Sequence, residues 1–288
     1  MPDLWTKNKE IEFFRESSKF AMPEQLFYFG DDSRHYAYWP KTYTGKKSTL
    51  QSRNALIGNF TEKYSVDLLQ NFAKSKNLFA VQGIICDEIG LTSQSPGDVA
   101  LCKSKQREQI AQNIIAIFEV KMSIVWNWEF KNNQLICLGD FKSHSGNPGL
   151  LRSDSMLKAI GKSINIRVSS YNASKIPIII LGNTPITESY IKKADHLFSA
   201  GILQGFWSIN PIPLDNNGNN LKRTPKNGFV RMDSKNELNQ MLDNLLSGQQ
   251  EFFSTMKSRR KLGEIIEIAN RERTFEAKAE KFLRLIRE

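Results

Sequence analysis

Three residues in this chain have the types and spacing that metal-assisted phosphate chemistry needs: Asp98, Glu119 and Lys121. Asp98 follows Ser95-Pro96-Gly97 and opens the apolar run Val99-Ala100-Leu101-Cys102. Glu119 and Lys121 close the run Ile114-Ile115-Ala116-Ile117-Phe118. Two carboxylates at the ends of paired strands can share one Mg²⁺, which takes a few carboxylates and keeps waters and phosphate oxygens as its other ligands. The backbone carbonyl of Val120 is a further candidate ligand. Lys121 lies two residues after Glu119, and on a strand that spacing shares one face. Its ammonium can orient an attacking water and offset negative charge as a phosphodiester is opened in line.

A lone E-x-K is common and usually marks a solvated strand face. Here Ile115, Ile117, Phe118, Val120, Met122 and Ile124 surround the pair. Charges in so apolar a run cost free energy unless something compensates them. A metal would do so, and so would a buried Glu119–Lys121 ion pair. Apolar neighbours are also expected to lower the pKa of Lys121.

The elements that must position these residues follow from periodicity. Thr61 to Lys76 reads as a helix capped by Thr61, with Tyr64, Leu68 and Phe72 on one face. Leu78–Cys86, Asp98–Lys103 and Ile114–Trp126 read as strands, and Asn132-Asn133 as a turn before a short strand, Gln134–Leu138. Gly149–Ser170 reads as a helix with an inward stripe of Leu157, Ile160, Ile164 and Val168. Strand Ile176–Leu181, helix Thr187–Ala200 and strand Gly205–Ile209 follow. The expectation is an α/β fold with a mixed sheet flanked by helices. Four parts are expected: an accessory segment 1–56, a core 57–210, a basic loop 211–234 and a helical region 235–288. In the last, Ile265, Ile268, Phe275, Ala279, Phe282 and Ile286 form an apolar stripe broken at Glu272, suited to packing or dimerisation.

Pro96-Gly97-Asp98, twenty intervening residues and Glu119-Val120-Lys121 together resemble the motif of the PD-(D/E)xK nuclease superfamily. The order of helix, three strands, helix, strand, helix and strand resembles its core, over roughly residues 57–210. Gly97 between proline and aspartate is a departure, at a position that does no chemistry. The resemblance implies a restriction-endonuclease-like core, Mg²⁺ as cofactor, and Asp98, Glu119 and Lys121 as the catalytic set. It also implies an assisting acid on the first helix, for which Glu62 is the candidate and Glu88 a weaker one. Length, charge and the absence of a fused helicase or methyltransferase motif look most like a type II restriction endonuclease. Such an enzyme would cut double-stranded DNA to 5′-phosphate and 3′-hydroxyl ends, as a homodimer, beside a DNA methyltransferase of the same site. The alternatives are a repair, recombination or transposition nuclease of the same fold, and a DNA-binding protein whose acids and lysine are only an ion-pair cluster.

The composition suits a polyanionic partner: the net charge is +10 over 288 residues, with a pI near 9.4. Lys158 and Lys162 lie off the apolar stripe of their helix and are candidate phosphate contacts. Lys222 and Arg223, in the loop Asn216–Arg231, are candidates for reading bases. The Arg34–Lys47 segment mixes basic and aromatic residues suited either to a groove or to a core. Gly45-Lys46-Lys47-Ser48 is not a phosphate loop, because its first glycine is Pro40 and Lys47 stands where Ser or Thr is needed. Cys86, Cys102 and Cys137 sit in apolar runs without metal spacing, which suits the reducing cytoplasm. Neither a signal peptide nor an apolar run of spanning length is readable.

Overall fold

The computed structural model describes residues 4–48, 50, 52–215, 220–247 and 259–287. The protein is α/β, built on a mixed six-stranded sheet flanked by helices, with a small antiparallel sheet and C-terminal helices. The large sheet comprises β3 (Phe79–Ile84), β4 (Gly97–Cys102), β5 (Ile114–Lys121), β8 (Ile178–Gly182), β9 (Phe206–Ser208) and β10 (Phe229–Arg231). Its spatial order is β10-β9-β8-β5-β4-β3. The β3–β4–β5 part is an antiparallel meander, and β5, β8, β9 and β10 run parallel.

Period-two alternation splits the sheet into two cores. Val99, Leu101, Phe118, Val120, Ile179 and Leu181 face one cluster. On that side lie helix α3 (Ser52–Ser75), helix α1 (Lys7–Ser17) and helix α6 (Lys235–Ser247), through Leu69, Phe13 and Leu242. Ala100, Cys102, Ile117, Ile178 and Ile180 face the other cluster, with helices α4 (Ser153–Ser169) and α5 (Glu188–Ser199). The amino-terminal segment, which includes the short helix α2 (Pro23–Leu26), therefore contributes Leu4, Trp5, Phe13, Phe14, Leu26 and Phe27 to the main core.

Several sequence expectations are corrected. The first helix begins nine residues before Thr61, at Ser52, so Thr61 is no cap. Its hydroxyl instead donates back to the carbonyls of Ile57 and Gly58. The run Ile114–Trp126 is not one strand, for β5 ends at Lys121. Two side chains turn the chain there. Asn183 accepts the Ser123 N–H at 3.1 Å and donates to its carbonyl at 2.7 Å. Glu10, fully buried, accepts the N–H groups of Val125 and Trp126 and the indole N–H groups of Trp5 and Trp128.

The turned chain enters a second sheet: β1 (Tyr28–Phe29), β2 (His35–Tyr36), β6 (Asn127–Lys131) and β7 (Gln134–Gly139), in that order. Asn132 and Asn133, both at positive φ, make the tight β6–β7 hairpin that the sequence predicts.

Helix α4 is rotated from the expected orientation. Its buried residues are Met156, Ala159, Ser163, Ile166 and Arg167, whereas Leu157 and Val168 are 61% and 66% exposed. The small side chains Ala159 and Ser163 admit close approach to the sheet, and buried Arg167 fixes the rotation through the carbonyls of Ala173, Ile176 and Ile202 and the Gln204 side chain.

The stretch 211–234 is not a plain loop either. Asp195 on α5 accepts hydrogen bonds from the Thr224 hydroxyl and from the Lys226 and Gly228 backbone, and the chain then forms β10. Asn216–Asn219 of the expected loop lie outside the described residues. The helical region 235–288 contains α6, then α7 (Arg259–Asn270) and α8 (Phe275–Arg287), broken around Glu272; residues 248–258 and the Ile286 side chain lie outside the described set. Among the described residues no helix is long and apolar enough to cross a membrane.

His144 supplies a test of this packing. It is 2% exposed, stacks on Tyr38, donates from Nε2 to the Val125 carbonyl and accepts the Gly146 N–H at Nδ1. Burial pushes its pKa from 6.5 down to about 4, against the pull of those two bonds. A base depressed in the folded state stabilises the fold above its unfolded pKa, and that contribution is lost as pH falls from 6.5 through 4. His144 should withdraw about 3 kcal/mol over that window, at about 1.4 kcal/mol per pH unit, while Glu10, whose buried carboxyl is raised to about 7, contributes in the opposite sense. Urea midpoints should therefore fall more steeply with falling pH in wild type than in His144→Asn. Equal slopes would mean that His144 is not the group being titrated.

Candidate active site

The site lies where β4 meets the carboxyl end of β5. Val99 pairs with Phe118 in antiparallel register, so the next step sets Asp98 opposite Glu119. Like charges directly opposite on paired strands repel each other. Both side chains point to the α4 side of the sheet, as Ala100 and Ile117 do. Asp98 also closes the ladder, since its Oδ2 accepts the Val120 N–H at 2.8 Å. Gly97, the departure from the motif, has a packing reason: a Cβ there would lie 2.8 Å from Ile84 Cγ1 and 3.0 Å from Leu91 Cδ1.

Two ammoniums compensate the carboxylates. Lys121 Nζ contacts Glu119 Oε1 at 2.7 Å, Asp98 Oδ2 at 3.3 Å and the Val120 carbonyl at 3.0 Å. Lys162 Nζ, from α4, contacts Glu119 Oε2 at 2.8 Å, Asp98 Oδ1 at 3.1 Å and the Pro96 carbonyl at 2.8 Å. The contact at Glu119 Oε2 is an ion pair without hydrogen-bond geometry, so this buried oxygen accepts no directional hydrogen bond.

Burial disfavours the charged form of Lys121, but the charges of Glu119 and Asp98 outweigh it, and its pKa lies above the ordinary lysine value. The balance is the same for Lys162. The expectation of a lowered pKa for Lys121 is thus reversed, because its nearest neighbours are two acids and not the apolar strand residues.

The predicted residues are only partly assembled. Asp98, Glu119, Lys121 and the Val120 carbonyl come together. Glu62 lies beside them, half-buried on α3 and bonded to Gln82 Nε2 at 3.0 Å. Burial raises its pKa, and the Gln82 bond opposes that rise; the Asp98 charge adds to it and the Lys121 and Lys162 charges counter it. Glu88 is exposed, bonded to Asn172. Lys162, expected on the phosphate-facing surface, is inside the site. Lys158 is exposed on the wall of an adjoining cleft of about 760 Å³, lined also by Val120, Lys121, Ser123, Arg152 and Ser155. Lys222 lies away from this cluster, paired with Asp233 and Glu237 at 2.7 and 2.5 Å. Arg223 lines a different cavity, with Phe198, Trp207 and Asn244. A cavity of about 850 Å³ on the small sheet, lined by Asp31, Asp32, Arg34 and Tyr36, includes none of the predicted site residues.

The donor set fits a hard cation. Among the described residues no group of three or more His, Cys, Asp or Glu side chains is placed to hold a metal. Two carboxylates and one carbonyl, already gathered around an ammonium, are the sparse oxygen set that suits Mg²⁺. Removing the ammonium should therefore make room for the metal. Lys121→Met should cost about 1–2 kcal/mol, because it leaves buried carboxylates less compensated. Millimolar Mg²⁺ should then raise the melting temperature of the variant more than that of wild type. Equal shifts in the two proteins would argue against a cation position at Lys121 Nζ.

Comparisons with protein-family models, curated proteins and solved structures find no match to this chain.

Proposed function

We propose that the protein is a Mg²⁺-dependent endonuclease of the PD-(D/E)xK type, with a restriction-endonuclease-like core, acting on double-stranded DNA. One observation carries the reading. Two facing carboxylates, a strand carbonyl and two ammoniums converge at one point beside an open, basic cleft. An ion-pair cluster built only for stability has no need of a cleft at its edge.

In this reading Asp98, Glu119 and the Val120 carbonyl hold the metal. Bound Mg²⁺ supplies a more acidic water and neutralises charge on the scissile phosphate. Lys121 stays cationic beside that point, where it orients the water and stabilises the charge that develops on the phosphorus centre. Glu62, coupled to the same charges without touching them, tunes the field from the α3 side. Lys158 and Arg152 line the cleft where the DNA backbone would run. A homodimer would bring two such sites to the two strands, and a sequence-specific enzyme would need a methyltransferase to protect host DNA, with the cytoplasm as its compartment.

A second reading rests on the completeness of the pairing: each acid contacts both lysines, as in a structural cluster of a non-catalytic DNA-binding protein.

Incubation of the protein with phage DNA in Mg²⁺ or in EDTA separates the readings. Discrete fragments that need Mg²⁺ are expected. A smear would favour a repair or recombination nuclease of the same fold, and intact DNA would leave only the binding role. Asp98→Ala and Lys121→Ala should each abolish cutting, by at least about 100-fold, and leave DNA retention in gel shifts largely unchanged. Cleavage that survives either change would remove these residues from the mechanism.

A further inference from the structure

The two lysines do not share one place. Lys121 takes one oxygen of each carboxylate, Asp98 Oδ2 and Glu119 Oε1, with the Val120 carbonyl as the third contact. Lys162 takes the other two oxygens, Asp98 Oδ1 and Glu119 Oε2, with the Pro96 carbonyl as the third. The acids therefore define two cation positions, each lined by three oxygens. We infer that the second position is permanently filled by the Lys162 ammonium, so that the site takes one divalent cation and not two. The inference rests on the nuclease reading above and specifies its metal requirement.

Three features separate the two positions. Lys162 comes from a different element, a helix whose rotation is locked by buried Arg167 five residues on. Its ammonium is braced by Pro96, whose carbonyl lies at the entry to β4. Lys121 instead sits on the strand that bears Glu119, over the Val120 carbonyl that the metal would use, so its ammonium must yield when a metal enters. Charge points the same way. One divalent cation with both ammoniums, set against two carboxylates, leaves an excess that matches a doubly negative attacked phosphodiester. A second divalent cation would overshoot it and would press against Lys162. Lys162 is thus a positioning residue: it orients Asp98 and Glu119 and halves the charge they offer to the metal.

Calorimetric titration with Mn²⁺ alone, without DNA, tests this. Wild type should bind one ion per chain. Lys162→Met should bind two, with the first roughly tenfold tighter, because a cation within ion-pair distance of both acids has gone. Lys162→Arg, which keeps the charge, should return to one ion. Circular dichroism and melting curves report whether Lys162→Met folds, and Lys162→Gln takes its place if it does not. Two ions on wild type would overturn the inference. So would one ion on the neutral variant at wild-type affinity. Both results leave the nuclease reading intact if wild type still cuts DNA. No Mn²⁺ binding by wild type, together with no cutting, would overturn the nuclease reading itself.

Discussion

The placement of Asp98 opposite Glu119 on adjacent antiparallel strands is the constraint around which the site is arranged. Two acids in that register, beneath a helix and largely out of water, repel each other and lose their hydration. The fold has to bring positive charge to both. One ammonium comes from the same strand, two residues on, where period two makes contact with Glu119 unavoidable. The other has to come from the layer above. That need explains why α4 turns Lys162 toward the sheet and gives Leu157 and Val168 to solvent. Exposing two aliphatic side chains costs a few kcal/mol. Leaving one buried carboxylate uncompensated costs at least as much.

The end of β5 is the second decision the chain makes there. Apolar residues continue through Val125, and nothing in their pattern ends the strand. The strand ends because other groups claim its backbone. Asn183, just past the end of the neighbouring parallel strand, brackets Ser123, and Glu10 captures the N–H groups of Val125 and Trp126 from a helix more than a hundred residues earlier. Among the described residues Glu10 is in no ion pair; its partners are N–H groups. Burial pushes its carboxyl up to about 7, against the pull of four N–H donors. By turning the chain at this point, these contacts open the space beyond Lys121 that becomes the cleft and send β6 into the small sheet.

The order of the elements and three members of the site were legible in sequence because both depend on local facts. Strand alternation, the Asn132-Asn133 turn and the i, i+2 relation of Glu119 and Lys121 lie within a few residues. The rest depends on contacts between distant parts. Thr61 looks like a cap only if the helix begins there, yet Ile57, Phe60 and Tyr64 recur at three- and four-residue spacing across it, a period that starts before Thr61. The stripe Leu157–Ile160–Ile164–Val168 is a true helical period, but a competing face of Met156, Ala159, Ser163 and Ile166 packs closer because it is smaller. Buried Arg167 settles the choice, and its partners lie at Ala173, Ile202 and Gln204. By sequence, Lys162 reads as a cation facing phosphate. Its role with Asp98 and Glu119 follows only once that rotation is known. The pairing of Lys222 with Asp233 and Glu237, eleven and fifteen residues on, is likewise a contact that no local pattern announces.

Where a polyanion would lie follows from which cations are already committed. Lys222 is held by two acids, and Arg34 is held in a bidentate pair by Glu129, which is itself buried. Among the described residues the Arg152 side chain is ion-paired with Asp154 alone, both partners about half exposed. Pairs of that kind contribute little and exchange readily for a phosphate. Lys158, one helical turn before Lys162, is exposed in the same cleft as Arg152. The cleft is also lined by Tyr28 of β1, by Tyr38 just after β2 and by Arg53 of α3. Arg53 is buried and already donates to the carbonyls of Leu26 and Ala37, so it stiffens that wall and is not a free contact. The exchangeable charge therefore sits on the α4 side, next to the acids. In the nuclease reading, a phosphate drawn to that charge would lie beside Lys121, which lines the same cleft.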